Sequence, residues 1–309
     1  MAHAMAPGAM PPLSVDRQRA KPACAVGGVR NDRSGRRARR SREQSVKQAH
    51  ARRPARAILA AALRSNAVLI LDPVSRETLF EKNSAAVMPI ASLTKLMTAL
   101  VVVEARQDME QLLTVTDADV DRLKYSSSRL KVGTRLSRSA MLHIALMSSE
   151  NRAASALGRS FPGGVLHFVA AMNARAQALG MTSSRFFEPT GLSSANVSSP
   201  EDLAKLVLAA HKHALIRRYS TDPGHTIAQG SRRTPYRNSN RLIANARWHI
   251  GLQKTGYIAE AGRCMVLHAN LKGRPVVMVF LDAQGKFSRA ADANRVRSWL
   301  GSGRRSARP

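Results

Sequence analysis

Three short clusters in this chain combine residue types that could do covalent chemistry. Ser92-Leu93-Thr94-Lys95 opens the run "ASLTKLMTALVVVEA" (91–105), whose remaining side chains are almost all apolar. Residues three apart on a helix share a face, so the Lys95 amine can reach the Ser92 hydroxyl. A serine hydroxyl is a weak nucleophile until a base removes its proton. A lysine becomes that base when burial or a second cation lowers its pKa. Leu93, Leu96, Met97, Leu100 and Val101 predict a core helix, and a core helix is a costly place for an idle ammonium. The second cluster is Ser149-Glu150-Asn151, at the polar end of a helical run. The third is Lys254-Thr255-Gly256, at the end of a predicted strand; K-T-G occurs once in the chain. The ordered set S-x-x-K, S-x-N, K-T-G supplies two serines and two lysines, enough for acyl transfer.

The elements that must position these groups can be read from periodicity. Ala67–Asp72 and Glu77–Lys82 are short apolar runs around the turn "PVSR", which predicts a hairpin. The helix from Ser92 follows, then a short helix over Val115–Val120, and a polar loop with a small strand in "SSSRLKVGTRLS". Ser139–Met147 is helical. Val165–Leu179 is a helix with Val165, Phe168, Val169, Met172, Ala176 and Leu179 on its buried face, and Gly180 stops it. Ser199 caps a further helix with Pro200 in its first turn. Gly251–Thr255, Arg263–Ala269 and Pro275–Leu281 read as strands, the last two joined at Lys272-Gly273, and Ser288–Leu300 closes as a helix. The predicted fold is α/β, a largely antiparallel sheet flanked by helices with a helical subdomain.

Composition narrows the function classes. The chain has 309 residues, 44% apolar and 4% aromatic, with a formal net charge of +29. Residues 1–56 carry 14 Lys or Arg against 3 Asp or Glu and lack apolar periodicity, so they read as a disordered basic segment. Residues 57–302 read as one catalytic domain and 303–309 as a frayed basic tail. A positive surface suits polyanions, yet no recognition-helix pattern or aromatic interleaving points to nucleic acid. Apolar runs are too short for an integral membrane segment. Ala57–Leu63, closed by Arg64, makes a poor export signal, and order is expected from about residue 66. Cys24 and Cys264 are not expected to pair. The nine histidines form no HExxH or similar spacing, so neither a metal site nor any other cofactor is expected.

With the three clusters in order, the chain resembles the serine penicillin-recognising peptidases, a β-lactamase/transpeptidase-like fold. Within them it is similar to the low-molecular-mass D-alanyl-D-alanine peptidases. The resemblance runs from about Asn66 to Leu300 and extends to "MPIASLTKLMTA", "SSSRLKVGT", "LMSSENRAA", "PTGLSS" and "QKTGYIAEAGRC". It implies Ser92 as nucleophile, Lys95 as its base, and Ser149 as a proton relay to the departing amine. Asn151 would hold Lys95 and the substrate amide, Lys254 would supply positive charge, and Thr255 would bond substrate. Gly256 would let the strand approach the ligand, and the backbone N–H groups of Ser92 and Tyr257 would form an oxyanion hole. It also implies peptidoglycan as substrate, β-lactams as covalent inhibitors, cell-wall hydrolases or synthases as partners, and a periplasmic location.

Among the relatives, a β-lactamase would need a carboxylate to activate water. Glu188 in "FFEPTGL" is the one obvious loop candidate and reads as a structural acid. The middle motif S-E-N-R, where carboxypeptidases commonly have S-G-N-D or S-A-N-D, is more similar to endopeptidases of the penicillin-binding protein 7 type. The 53 residues after Gly256 leave no room for an added β-rich domain and anchor. The expectation is a cross-link endopeptidase. The alternatives are a D-alanyl-D-alanine carboxypeptidase, a β-lactamase, or a non-catalytic penicillin- or polyanion-binding protein.

Overall fold

The computed structural model describes residues 56–229 and 232–302, together with Arg37 and Arg39. The expectations for the rest of the N-terminal segment, Cys24 included, and for the tail 303–309 lie outside the described residues. In chain order the elements are α1 (56–62), β1 (Ser65–Leu71), β2 (Thr78–Lys82), β3 (Met88–Pro89), a 3₁₀ turn (Ala91–Leu93) and α2 (Thr94–Glu104). Next come β4 (Leu112–Thr114), β5 (Arg135–Ser137), α3 (Arg138–Met147), α4 (Asn151–Arg159), α5 (Gly164–Ala178), β6 (Val197–Ser198), α6 (Pro200–His211) and α7 (Ala214–Thr221). The chain continues through β7 (Gly224–Gln229), β8 (Arg232–Arg237), β9 (His249–Ile258), β10 (Gly262–Leu271) and β11 (Arg274–Ala283), and then α8 (Ser288–Ser302).

The main sheet has the order β2-β1-β11-β10-β9, and every pairing is antiparallel. The run "VVMVFL" in β11 explains its position. Val277, Val279 and Leu281 enter one apolar cluster with α2 and α6, while Val276, Met278 and Phe280 enter another with α1 and α8. A strand buried on both faces loses the usual alternation of apolar and polar residues and reads as a continuous apolar run. Each fully buried aliphatic or aromatic side chain there contributes roughly 1.5–3 kcal/mol.

Helix α2 lies inside the larger cluster, and every residue from Leu93 to Val102 is buried. The sheet is therefore flanked by helices as expected, with α2–α5 forming the helical part. The tight Lys272-Gly273 turn between β10 and β11 is present, both residues at positive φ. Ser199 caps α6 by accepting from the Asp202 amide.

Several expectations need correction. The first described helix starts at residue 56, not near 66. The run read as a poor export signal is α1, with Leu59 and Leu63 buried against the outer face of the sheet. Val115–Val120 holds only a single 3₁₀ turn, Asp117–Asp119. On α5, Val165 is exposed and only Phe168, Met172 and Ala176 are fully buried, because the first turn of α5 projects beyond the core. Three further elements were not anticipated: α4 and α7, although both are amphipathic at helical spacing, and the β7–β8 hairpin, whose strand "RRTPYR" lacks apolar alternation.

One buried acid ties the two ends of the domain together. Asp292 on α8 accepts from the Ser65 amide at 2.8 Å, the Ser65 hydroxyl at 2.7 Å and the Arg64 amide at 3.0 Å, and pairs with Arg295 at 2.9 Å. Asp292→Ala is expected to cost about 3 kcal/mol, because three donors lose their buried acceptor. Urea unfolding of the purified domain measures it.

Candidate active site

The nucleophile candidate sits on the 3₁₀ turn, two residues ahead of α2, not within the α-helix itself. Ala91 is held at φ +48°, a conformation a non-glycine residue adopts only under tertiary constraint. The Thr94 hydroxyl donates to the Ala91 carbonyl at 2.8 Å and accepts from the Asn196 amide at 3.1 Å, which fixes the turn. Ser92 is half-buried where the following ten residues are buried, so its hydroxyl stands at the rim of the core.

Lys95 is fully buried, one turn further on. Its Nζ donates to Ser92 Oγ at 2.9 Å, to Asn151 Oδ1 at 2.7 Å and to the Thr190 carbonyl at 2.5 Å. Burial lowers its pKa to about 8, against the opposing charges of Glu188, Glu150 and Asp121. About a quarter of such amines are neutral at pH 7.5, against about one in a thousand at an ordinary lysine pKa. The geometry determines where the lone pair then points. Two of the three partners are carbonyl oxygens that only accept, so in the neutral amine they hold its two N–H bonds. The direction left for the lone pair is the one toward Ser92 Oγ. Helix pitch, burial and these two carbonyls together make Lys95 competent to take the Ser92 proton.

Asn151 opens α4, and its amide is oriented at both ends. Nδ2 donates to Ser126 Oγ at 2.8 Å, and that hydroxyl donates to Asp121 Oδ2 at 2.6 Å. Ser126 and Thr190 were not singled out in the sequence, although both lie in stretches that carry the resemblance. Ser149 stands in the turn between α3 and α4 at φ +65°, a strained value for serine that aims its side chain at the sheet. The Lys254 ammonium donates to Ser149 Oγ at 2.9 Å and to the Thr255 carbonyl at 2.8 Å. Burial, followed by the charges of Lys95 and Arg289, holds Lys254 well below the ordinary lysine pKa.

The sheet contributes through β9. Thr255 is buried, with its hydroxyl 2.7 Å from Ser239 Oγ. Gly256 brings β9 against the nucleophile turn, since a Cβ there would stand 3.0 Å from the Ser92 nitrogen and from the Ile90 carbonyl. The absent side chain therefore lets β9 approach the Ser92 backbone, and the cleft between them is where a substrate carbonyl would enter. Tyr257 is exposed, with its ring under the Arg263 guanidinium at 4.5 Å. Arg289, on α8, donates to the Gly256 carbonyl at 2.9 Å and places a further positive charge behind β9. No motif or spacing pointed to it in the sequence.

Glu188 is committed to its own loop. Its carboxylate accepts from the Thr190 amide and Gly191 amide at 2.6 Å, the Thr190 hydroxyl at 2.5 Å and the Asn196 amide at 2.9 Å. That is the structural acid expected, with its oxygens spent on the turn that carries the Thr190 carbonyl. Glu150 is committed to capping α4 and accepts from Ser128 Oγ at 2.7 Å. Cys264, in β10, is buried, and burial pushes its thiol up to about 12, so it does not compete as a nucleophile.

Comparisons with known proteins agree with this geometry. Residues 51–285 match the D-alanyl-D-alanine carboxypeptidase family. The D-alanyl-D-alanine endopeptidase of Pseudomonas aeruginosa is 43% identical over 249 residues, covering 80% of each chain. That of Escherichia coli is 41% identical over 242 residues, covering 78% of each. A solved mutant of a Streptomyces DD-transpeptidase superposes with a TM-score of 0.72 at 25% identity, over 77% of this chain and 97% of that one. A carboxypeptidase from a Streptomyces strain is more distant, at 28% identity. A buried lysine poised on a serine, the second serine–lysine pair across the cleft and these matches lead to one assignment: the chain belongs to the D-alanyl-D-alanine carboxypeptidase family of serine peptidases.

Proposed function

We propose that the protein hydrolyses D-alanyl peptide bonds of peptidoglycan through an acyl-enzyme on Ser92, cutting D-alanyl-diaminopimelate cross-links in cell-wall remodelling. The observation that carries this reading is the set of Lys95 Nζ contacts, with Ser92 Oγ at 2.9 Å and two carbonyl oxygens holding the other N–H bonds. Ser92 Oγ attacks the D-alanyl carbonyl carbon while its proton passes to Lys95. The carbonyl oxygen becomes an oxyanion between the backbone N–H groups of Ser92 and Tyr257. The C–N bond then breaks, and the proton moves from Lys95 by way of Ser149 to the departing amine. A water attacks the ester, gives its proton to Lys95, and the acid leaves as Ser92 recovers its hydrogen. Asn151 holds Lys95 and the substrate amide, Thr255 bonds the substrate, and Lys254 with Arg289 makes the cleft positive for an anionic stem peptide.

The endopeptidase reading is supported by the S-E-N-R motif and by the endopeptidase names of the relatives at 41–43% identity. Peptidoglycan lies outside the cytoplasmic membrane, so a periplasmic site of action goes with this reading. β-Lactams would acylate Ser92 as substrate mimics, and cell-wall synthases or hydrolases are the partners it suggests. Among the described residues no helix is long and apolar enough to cross a membrane.

A fluorescent penicillin is expected to label the wild type and not Ser92→Ala; an unlabelled, folded wild type would refute the acyl-enzyme. Digestion of purified cross-linked peptidoglycan is expected to deplete dimeric muropeptides. Release of free D-alanine without loss of dimers would assign the enzyme as a carboxypeptidase instead.

A further inference from the structure

We propose that His143, Asp222 and His225 form a binding site for one divalent transition-metal ion, Zn²⁺ by the chemistry of the donors, where α3, α7 and β7 meet. Three separate elements supply the ligands: His143 from the middle of α3, Asp222 from the residue that ends α7, and His225 from the first turn into β7. One ligand atom from each lies within 4.8 Å of the other two. Two imidazoles and a carboxylate with an open fourth position are a common zinc set, whereas calcium and magnesium prefer oxygen-only shells. Asp222 and His225 are half-buried, so water has access to the fourth position.

The ordinary alternative is a core histidine paired with a helix-ending aspartate. The geometry argues against it. His143 is 6% exposed, and its Nε2 lies 3.0 Å from Asp222 Oδ2. At that distance the two atoms attract as an ion pair, but they do not meet the geometry of a well-aligned hydrogen bond. Two such ligand atoms, with His225 supplying a third within 4.8 Å, suit a shared metal ion. Neighbouring ligands about a tetrahedral zinc with bonds near 2.0–2.1 Å stand roughly 3.3 Å apart. The His143 ring is held in place: it stacks on Tyr219 at 4.3 Å between centroids and lies against the tilted His225 ring at 4.2 Å. Arg218, near His143, opposes a cation and moderates the affinity.

An ion here would clamp α3, α7 and the β7–β8 hairpin. These elements lead toward the catalytic cleft. The Asp222 carbonyl accepts from Asn238 Nδ2 at 2.8 Å, and the next residue, Ser239, meets both the Met147 carbonyl and Thr255 Oγ1.

The test uses full-length, tag-free protein stripped with EDTA and titrated with Zn²⁺ by calorimetry, with thermal unfolding in parallel. One ion is expected per site, with a rise in melting temperature on adding Zn²⁺. His225→Ala and Asp222→Asn are each expected to weaken binding at least about tenfold. His268→Ala, at the separate His211–His268 stack, is expected to leave it unchanged. Penicillin labelling of each variant reports that it has folded. Crystals grown with zinc are expected to show an anomalous peak among the three side chains. No binding by the wild type at micromolar zinc, binding that survives both substitutions, or an anomalous peak elsewhere would overturn the proposal.

Discussion

Lys95→Met is expected to slow acylation of Ser92 by about 10²–10⁴-fold, the range over which a positioned general base contributes. The wild-type acylation rate should rise with pH and level off above about 8. The neutral amine is the active form, and burial places its pKa there. Below that value each pH unit should cost about tenfold, since the protonated fraction grows in that proportion. Lys95→Arg separates base from charge. It retains a cation but cannot give up its proton, so it should be as slow as Lys95→Met and have no rising limb. Stopped-flow acylation by a chromogenic or fluorescent penicillin, from pH 6 to 10, reads both effects. An arginine variant that acylates at a rate near wild type would show that Lys95 acts through its charge. Circular dichroism separates a slow enzyme from an unfolded one, because Lys95 is buried beside three acceptors and the methionine removes their shared donor.

The second large effect concerns a residue with no functional side chain. Gly191 sits at φ +82°, and a Cβ there would stand 2.0 Å from the Ala91 carbonyl oxygen and 2.8 Å from the Ser92 nitrogen. Backbone lies on both sides of the contact, so no side chain can turn away to make room. Gly191→Ala should therefore push the 188–193 loop off the nucleophile turn or displace the turn itself. Either movement breaks the Thr190–Lys95 contact or tilts the Ser92 amide. Penicillin acylation is expected to fall by more than about 100-fold, in line with a displacement of about 1 Å at a reacting centre. The left-handed φ adds strain to the clash, and a melting temperature lower by several degrees is expected for a loss of about 1–2 kcal/mol. Acylation at the wild-type rate would mean that the loop yields without disturbing Ser92.

Motif and periodicity together carried much of this enzyme. Ser92, Lys95, Ser149, Asn151 and Lys254 are spread over about 160 positions of the chain, yet each lies in a short pattern whose residue types are costly without a chemical use. The two-faced burial of β11 is visible as an unbroken apolar run, and the cap of α6 as Ser199-Pro200. What stayed hidden shares another property. Thr190 contributes only its backbone carbonyl, which any residue could present. Ser126 orients Asn151 through a hydroxyl in a stretch of three serines. Arg289 and Asp292 look like ordinary charges on a closing helix, and their roles follow from which carbonyl or amide lies opposite. The α5 face went wrong at Val165 for the same reason: periodicity gives the phase of a helix, not the point at which its partners end.

The His143–Asp222–His225 cluster marks the boundary most sharply. No spacing rule links a residue in the middle of α3 to one at the end of α7 and another in a hairpin, so pattern reading found no ligand set among nine histidines. Chemistry built on a single turn, such as Ser92 and Lys95, is written in the chain because local geometry is nearly constant: three residues along a helix always meet. The lone-pair direction of Lys95, the closeness of Gly191 and Gly256 to the Ser92 amide, and the meeting of two histidines with an aspartate depend on how separate elements pack. Only the folded arrangement decides which atoms those elements bring face to face.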